Sequence, residues 1–125
     1  MTGLTPYFVN KVMDHCLGGV SWTPPAAVYL QLHIGDPGPD GTANVSATTT
    51  RRAVTWSSAS NGQINMTSDL TWTAVAKESI SHISGWDASS SGHCLFTDEF
   101  DDAKNCYVGD TLELPSATVQ IPPGA

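Results

Sequence analysis

Ala27-Val28-Tyr29-Leu30-Gln31-Leu32-His33-Ile34-Gly35-Asp36-Pro37-Gly38 alternates apolar and other side chains and then stops in a Gly-Asp-Pro-Gly turn. Side chains along a strand point to opposite faces in turn. Val28, Leu30, Leu32 and Ile34 therefore share one face, and Tyr29, Gln31 and His33 share the other. A run of this kind, cut short by turn chemistry, predicts a strand with one face on a core. Asp36 fits the turn itself, because Asp accepts a hydrogen bond from backbone just downstream of it.

Upstream, Thr5 suits an N-cap and Pro6 the first helical position. Phe8, Val12 and Cys16 then recur at i, i+4 and i+8, with Met13 and Leu17 alongside, before Gly18-Gly19. This spacing predicts one short amphipathic helix over residues 6–17. Trp22-Thr23-Pro24-Pro25 reads as a connector, since paired prolines continue neither a helix nor a central strand.

Downstream, residues 36–50 read as a long polar loop. Short strands follow at Arg52–Ser57, Gln63–Thr67, Leu70–Val75 and Ile80–Trp86. Asn61-Gly62 makes a turn that accepts positive φ. His93–Thr97 pairs back across a Ser/Gly turn, Asp98 to Asn105 reads as an acidic loop, and Cys106–Val108, Thr111–Leu114 and Thr118–Ile121 close the chain before Pro122-Pro123. Eight or nine short strands with turns every 8–12 residues point to an all-β fold. The expectation is a single domain over residues 1–125, a β-sandwich of jelly-roll type with one short N-terminal helix and strands spread over residues 28–121.

Composition narrows the function. The chain has 125 residues, of which 14% are charged, and a formal net charge of −7. Nucleic-acid binding needs Lys and Arg to release counterions, but there are five basic residues in all and only Arg51-Arg52 adjoin. The same shortage argues against an anionic membrane surface. No apolar run reaches the ~20 residues of a membrane span, and no secretory leader is expected at the N-terminus. Three cysteines, Cys16, Cys94 and Cys106, are expected as reduced thiols.

The candidate chemical sites favour structural readings. His33 with Asp36 could be an acid/base pair, but Asp36 is needed by its turn. His15-Cys16 and His93-Cys94 lack zinc-ligand spacing, and adjacent strand residues face opposite ways. Cys94 and Cys106 read as small core hydrophobes on neighbouring strands. Asp98-Glu99-Phe100-Asp101-Asp102 lacks the ligand spacing and central Gly of a calcium loop. There is no Gly-x-Ser-x-Gly elbow and no phosphate-cradling Gly loop. No enzyme activity, cofactor or metal is expected. Of four tryptophans, Trp56 and Trp72 read as core, while Trp22 reads as exposed and available to a protein interface or, as the alternative, to a sugar.

Five pieces in order resemble the small tailed-bacteriophage virion proteins known as tail fibre or head decoration proteins. Members open with a short helix, as at Tyr7–Leu17. A "VYLxLHxGDPG" strand is matched at Val28–Gly38, and "R-x-A-V-T-W" at Arg51–Trp56. A "WDAxSGGxxLF" hairpin is matched at Trp86–Phe96, and a closing "GDTL" strand at Val108–Ile121. The resemblance implies a virion structural role. The expectation that follows is a capsid decoration (minor head) protein that stabilises the shell by binding it only when assembled. The alternative is a tail fibre or tail tip module that binds a host receptor or cell-wall glycan. The expected partners are the major capsid protein or other virion proteins and further copies of the chain, as a trimer, with assembly in the bacterial host cytoplasm. Tyr7, Lys11, Trp22, Pro24 and Pro25 are the expected interface residues.

Overall fold

The computed structural model describes residues 3–67, 69–114 and the backbone of 118–120. The expected end of the closing strand at Ile121 and the prolines after it lie outside the described residues. Helix α1 spans Pro6–Cys16. The strands are β1 (Gly3–Leu4), β2 (Val28–His33), β3 (Arg52–Val54), β4 (Gln63–Asn65), β5 (Leu70–Thr73), β6 (Glu78–Trp86), β7 (Cys94–Cys106), β8 (Thr111–Leu114) and β9 (Thr118–Gln120). The mostly-β expectation holds. Pairing is antiparallel in every described ladder. A five-stranded sheet runs β1-β7-β6-β2-β3, and β4-β9 and β5-β8 form two-stranded ribbons.

The core lies where the apolar stripe of β2 faces the ribbons. Leu30 and Leu32 pair with Gly85 and Ile83 of β6. They cluster with Trp72 from β5, Leu112 and Leu114 from β8, and Leu95 and Phe96 from β7. Gly85 lacks a side chain because the Phe96 ring occupies the place where a Cβ would stand. Trp72 is buried, and its indole N–H donates to Thr50 O at 2.9 Å.

Thr5 ties the helix to the sheet. Its hydroxyl donates to Cys94 O at 2.6 Å and accepts from Phe8 N at 3.3 Å, and its own N–H donates to Leu95 O at 2.9 Å. The cap thus serves two elements, which is why a threonine is buried here. The hairpin turn forms as expected, with Asn61 at φ 52° and Ser60 and Gln63 exchanging backbone bonds.

Three expectations need correction. Residues 98–105 are not a loop: β7 runs through them, and its acidic side chains sit mostly on an exposed side. The β6–β7 register shifts at two places, and the larger shift lies here. His82 pairs with Glu99 and Ile80 with Lys104, so Phe100-Asp101-Asp102-Ala103 opposes Ser81 alone. Cys94 and Cys106 therefore lie at opposite ends of one strand, not on neighbouring ones. The second strand is also shorter than read: it ends at Val54, and Trp56 meets Met66 in an isolated bridge.

Candidate functional site

The second face of β2 and β6 carries the polar chemistry. His33 is 0% exposed and Ser84 is 0% exposed. Residues 34–48 fold over them as a strap. Ile34 N–H donates to Asn44 O at 2.8 Å, Ser46 N–H to Leu32 O at 3.1 Å, and Ala43 N–H to Pro37 O at 3.0 Å. Asp36 makes the expected turn, its Oδ1 accepting from Gly38 N at 2.9 Å. Gly41 presses close to the sheet: a Cβ there would lie 2.5 Å from Cys94 Sγ.

Under the strap the hydrogen bonds run in one direction. Trp86 Nε1 donates to Ser84 Oγ at 2.6 Å, and His33 Nε2 lies 2.6 Å from the same oxygen. His33 Nδ1 lies 2.9 Å from Ala43 O. A carbonyl only accepts, so Nδ1 carries a proton; burial favours the neutral ring, in which Nε2 accepts from the Ser84 hydroxyl. Burial pushes the His33 pKa below its ordinary 6.5, opposed in part by its backbone partners. The pair mimics a nucleophile and its base. Its serine, however, is closed to solvent, and a carbonyl stands where an orienting carboxylate would be. Its chemistry is that of a buried fastening for the strap.

Two further contacts lie at opposite ends of β6. Glu78 anchors the strap's far end, accepting from Ser46 Oγ at 2.6 Å and Ala47 N at 3.0 Å. The Arg51 guanidinium lies 4.1 Å from the Trp86 ring centroid and donates to Ala88 O at 2.9 Å and Ser91 O at 2.7 Å. Both bonds leave Nη1, and they clamp the turn between β6 and β7.

Beside the strap is a cleft of about 400 Å³. Three separated segments build it: the start of α1 (Pro6, Tyr7), the strap (Pro39, Asp40, Thr42) and the β6–β7 turn (His93). Trp86 and Cys94 also line it. The Tyr7 and His93 rings stack with centroids 4.0 Å apart and planes 7° apart. Asp87 fixes His93, accepting its backbone N–H at 2.8 Å and lying 3.6 Å from ring Nδ1. Asp40 Oδ1 accepts from the Thr42 hydroxyl at 2.8 Å and from Thr42 N at 3.4 Å. The Thr42 hydroxyl, then its N–H, hold the Asp40 carboxyl below the usual range. Burial pushes the Cys94 thiol up to about 12, which makes it unreactive at neutral pH.

The expected interface residues divide between two places. Tyr7 joins the cleft, with Lys11 Nζ 5.6 Å from its ring centroid. Trp22 is half-buried, 6.1 Å from Phe8 and 6.3 Å from His15 between ring centroids. The connector thus folds back on the helix, with Pro24 exposed and Pro25 half-buried. His33 and Asp36 do not converge as an acid/base pair, since each is bound to its own partner. Among the described residues, no three His, Cys, Asp or Glu are grouped to hold a metal ion. Asp98 lies with its carboxyl raised by burial and by its neighbours Asp101 and Glu99. The cleft residues Asp40, Thr42 and His93 were missed as a group. Their one sequence signal was the unexplained His93-Cys94 pair.

Among curated proteins, none matches the chain. A family profile does: "Podophage GP4 fiber I protein gp80" matches residues 3–122. That span takes in the helix, the β2 strand with its Gly-Asp-Pro-Gly turn, the strap and the β6–β7 hairpin. The match extends over nearly the whole chain and not over one motif, and the chain therefore belongs to the podophage GP4 fiber I protein gp80 family, a family of phage virion proteins.

Proposed function

We propose that the chain is a structural component of a phage fibre, assembled in the host cytoplasm from identical copies and attached to other virion proteins without catalysis, metal or cofactor. The match of residues 3–122 to a family described as a fiber I protein supports a fibre component in preference to capsid decoration. The surface supports it. Helix α1 has no buried residue, and its C-terminal end leaves Met13, Leu17 and Val20 exposed, Leu17 at 82%. Exposed apolar side chains grouped this way suit contact with protein. With Lys11, Trp22, Pro24 and Pro25 nearby in the chain, they make the helix and connector the assembly side, and a trimer is the expected stoichiometry. The same reading takes the sheet and its two ribbons as a reduced β-sandwich of jelly-roll type, the ribbons forming the counter-layer.

Immunogold labelling of purified particles tests the location. Gold confined to fibres is the expected result. Gold spread over the faces of the head would replace the fibre reading with shell decoration.

A further inference from the structure

We propose that the cleft between Tyr7, His93 and Asp40 is a binding subsite for a neutral pyranose ring, whose C–H groups pack on the exposed His93 ring while neighbouring hydroxyls donate to the Asp40 carboxylate. The inference stands apart from the fibre reading, because it needs the cleft and not the chain's place in the particle.

Three observations carry it. The first is preorganisation. Asp87 holds the His93 backbone N–H, and the imidazole packs face to face on Tyr7, so the His93 ring is set in place before any ligand arrives. The His93 side chain is nonetheless 59% exposed, which leaves it open to contact. The second is the mix of surfaces. Pro6, Pro39 and the rings supply apolar walls, and Asp40 and Thr42 supply the polar rim. A mostly apolar concavity with a few placed polar groups is the usual form of a small-molecule site, and this one lies at the small end of the volume range. The third is charge. Among the described residues, the cleft lining itself contains no Lys or Arg, although Lys11 Nζ lies 5.6 Å from the centroid of the lining Tyr7 ring. Arg51 Nη1 donates to two backbone carbonyls of the β6–β7 turn. With a carboxylate on the rim and a net charge of −7, a neutral sugar is favoured over a phosphorylated or acidic one.

The rim also separates a sugar from the next candidate, a proline-rich peptide, which suits aromatic and proline walls too. Such a peptide presents carbonyl oxygens and needs donors. The indole N–H of Trp86 is given to Ser84 and the Thr42 hydroxyl to Asp40, which leaves the Tyr7 phenol as the lining's hydroxyl donor against a charged acceptor on the rim. Sugar hydroxyls are donors that a carboxylate takes two at a time.

The test is an amide-shift titration of the ¹⁵N-labelled chain with glucose, galactose, N-acetylglucosamine and mannose, each to about 100 mM, beside a proline-rich peptide at about 5 mM. Small polar ligands of this size bind weakly, so a dissociation constant in the millimolar range is expected for at least one sugar. The shifts should gather at residues 40–42 and 92–94. His93→Ala and Asp40→Asn, both on exposed side chains, should each weaken that sugar about tenfold while leaving distant amides in place. No shifts with any of the four sugars would overturn the proposal. So would shifts scattered away from the cleft, unaltered affinity in both variants, or response to the peptide alone.

Discussion

Leu30, Leu32, Ile83 and Gly85 lie on one side of the β2–β6 pair, and His33, Ser84 and Trp86 lie on the other. Both sides are shut from water. The first is closed by dispersion and apolar burial, which is tolerant of direction but unforgiving of volume. The second is closed by a strap whose hydrogen bonds must each find a partner, so it tolerates little change in chemistry. One sheet is thus fastened in two ways, and the two sides should fail differently.

The largest break is expected on the apolar side. Leu32 is 1% exposed in the centre of the cluster. Leu32→Ala removes its contacts and leaves a cavity, at a cost of about 2–5 kcal/mol. Urea unfolding should show the midpoint fall with every region of the chain losing stability together. Loss confined to residues 34–48 would contradict the view that this side holds the whole fold.

His33→Leu probes the other side at similar volume. It leaves the Ser84 hydroxyl and Ala43 carbonyl without their partner, at a cost of about 1–3 kcal/mol. Amide exchange should accelerate first at Ile34, Ala43 and Ser46, whose bonds hold the strap. The wild-type ring also makes this side sensitive to pH. The His33 pKa is lowered in the folded chain, chiefly by burial, from 6.5. Above pH 6.5 both states hold the ring neutral and its contribution is intact. Below it the unfolded chain takes up a proton that the folded chain refuses, so stability falls as the pH drops through 6.5 toward the lower folded value. The nearby charges do not offset this: His82 and Arg51 both disfavour a further positive charge at the ring. His33→Leu should flatten that part of the stability profile. An unchanged slope would show that the ring is not what the pH acts on.

The two sides were also unequally readable. Alternation of Val28, Leu30 and Leu32 marked the apolar side, because burial repeats with the strand period. Thr5-Pro6 with Phe8 and Val12 marked α1, and Asn61-Gly62 marked its hairpin, for equally local reasons. The closed polar side was not visible. His33 reaches Ser84 across 51 residues and Ala43 across 10, and residues so separated leave no pattern in a short window. Asp98–Asn105 misled for the opposite reason: its charges looked like a loop, yet a strand with one exposed side carries them. The cleft was hidden in the same way as the strap, since Tyr7, Asp40 and His93 come together only when three segments pack. Alternation in β2 says which face is apolar but not what covers the other, and only the strap supplies that.

The mildest perturbation separates the strap's two ends. Glu78 receives the Ser46 hydroxyl and the Ala47 N–H, one on each oxygen. Glu78→Gln keeps the shape and one acceptor but replaces a charge-assisted bond with an N–H₂ that faces a donor. A cost of about 1 kcal/mol follows from exchanging a bond to a charged group for a neutral one. Because Ser46 Oγ also accepts from Thr48 N at 3.0 Å, the loss should spread to residues 46–48 and stop there. The His33 end, held by Ala43 and Ser84, should keep its exchange protection. Equal acceleration at Ala43 and Ala47 would mean that the strap opens as one piece, and that its two fastenings act together against the apolar side instead of singly.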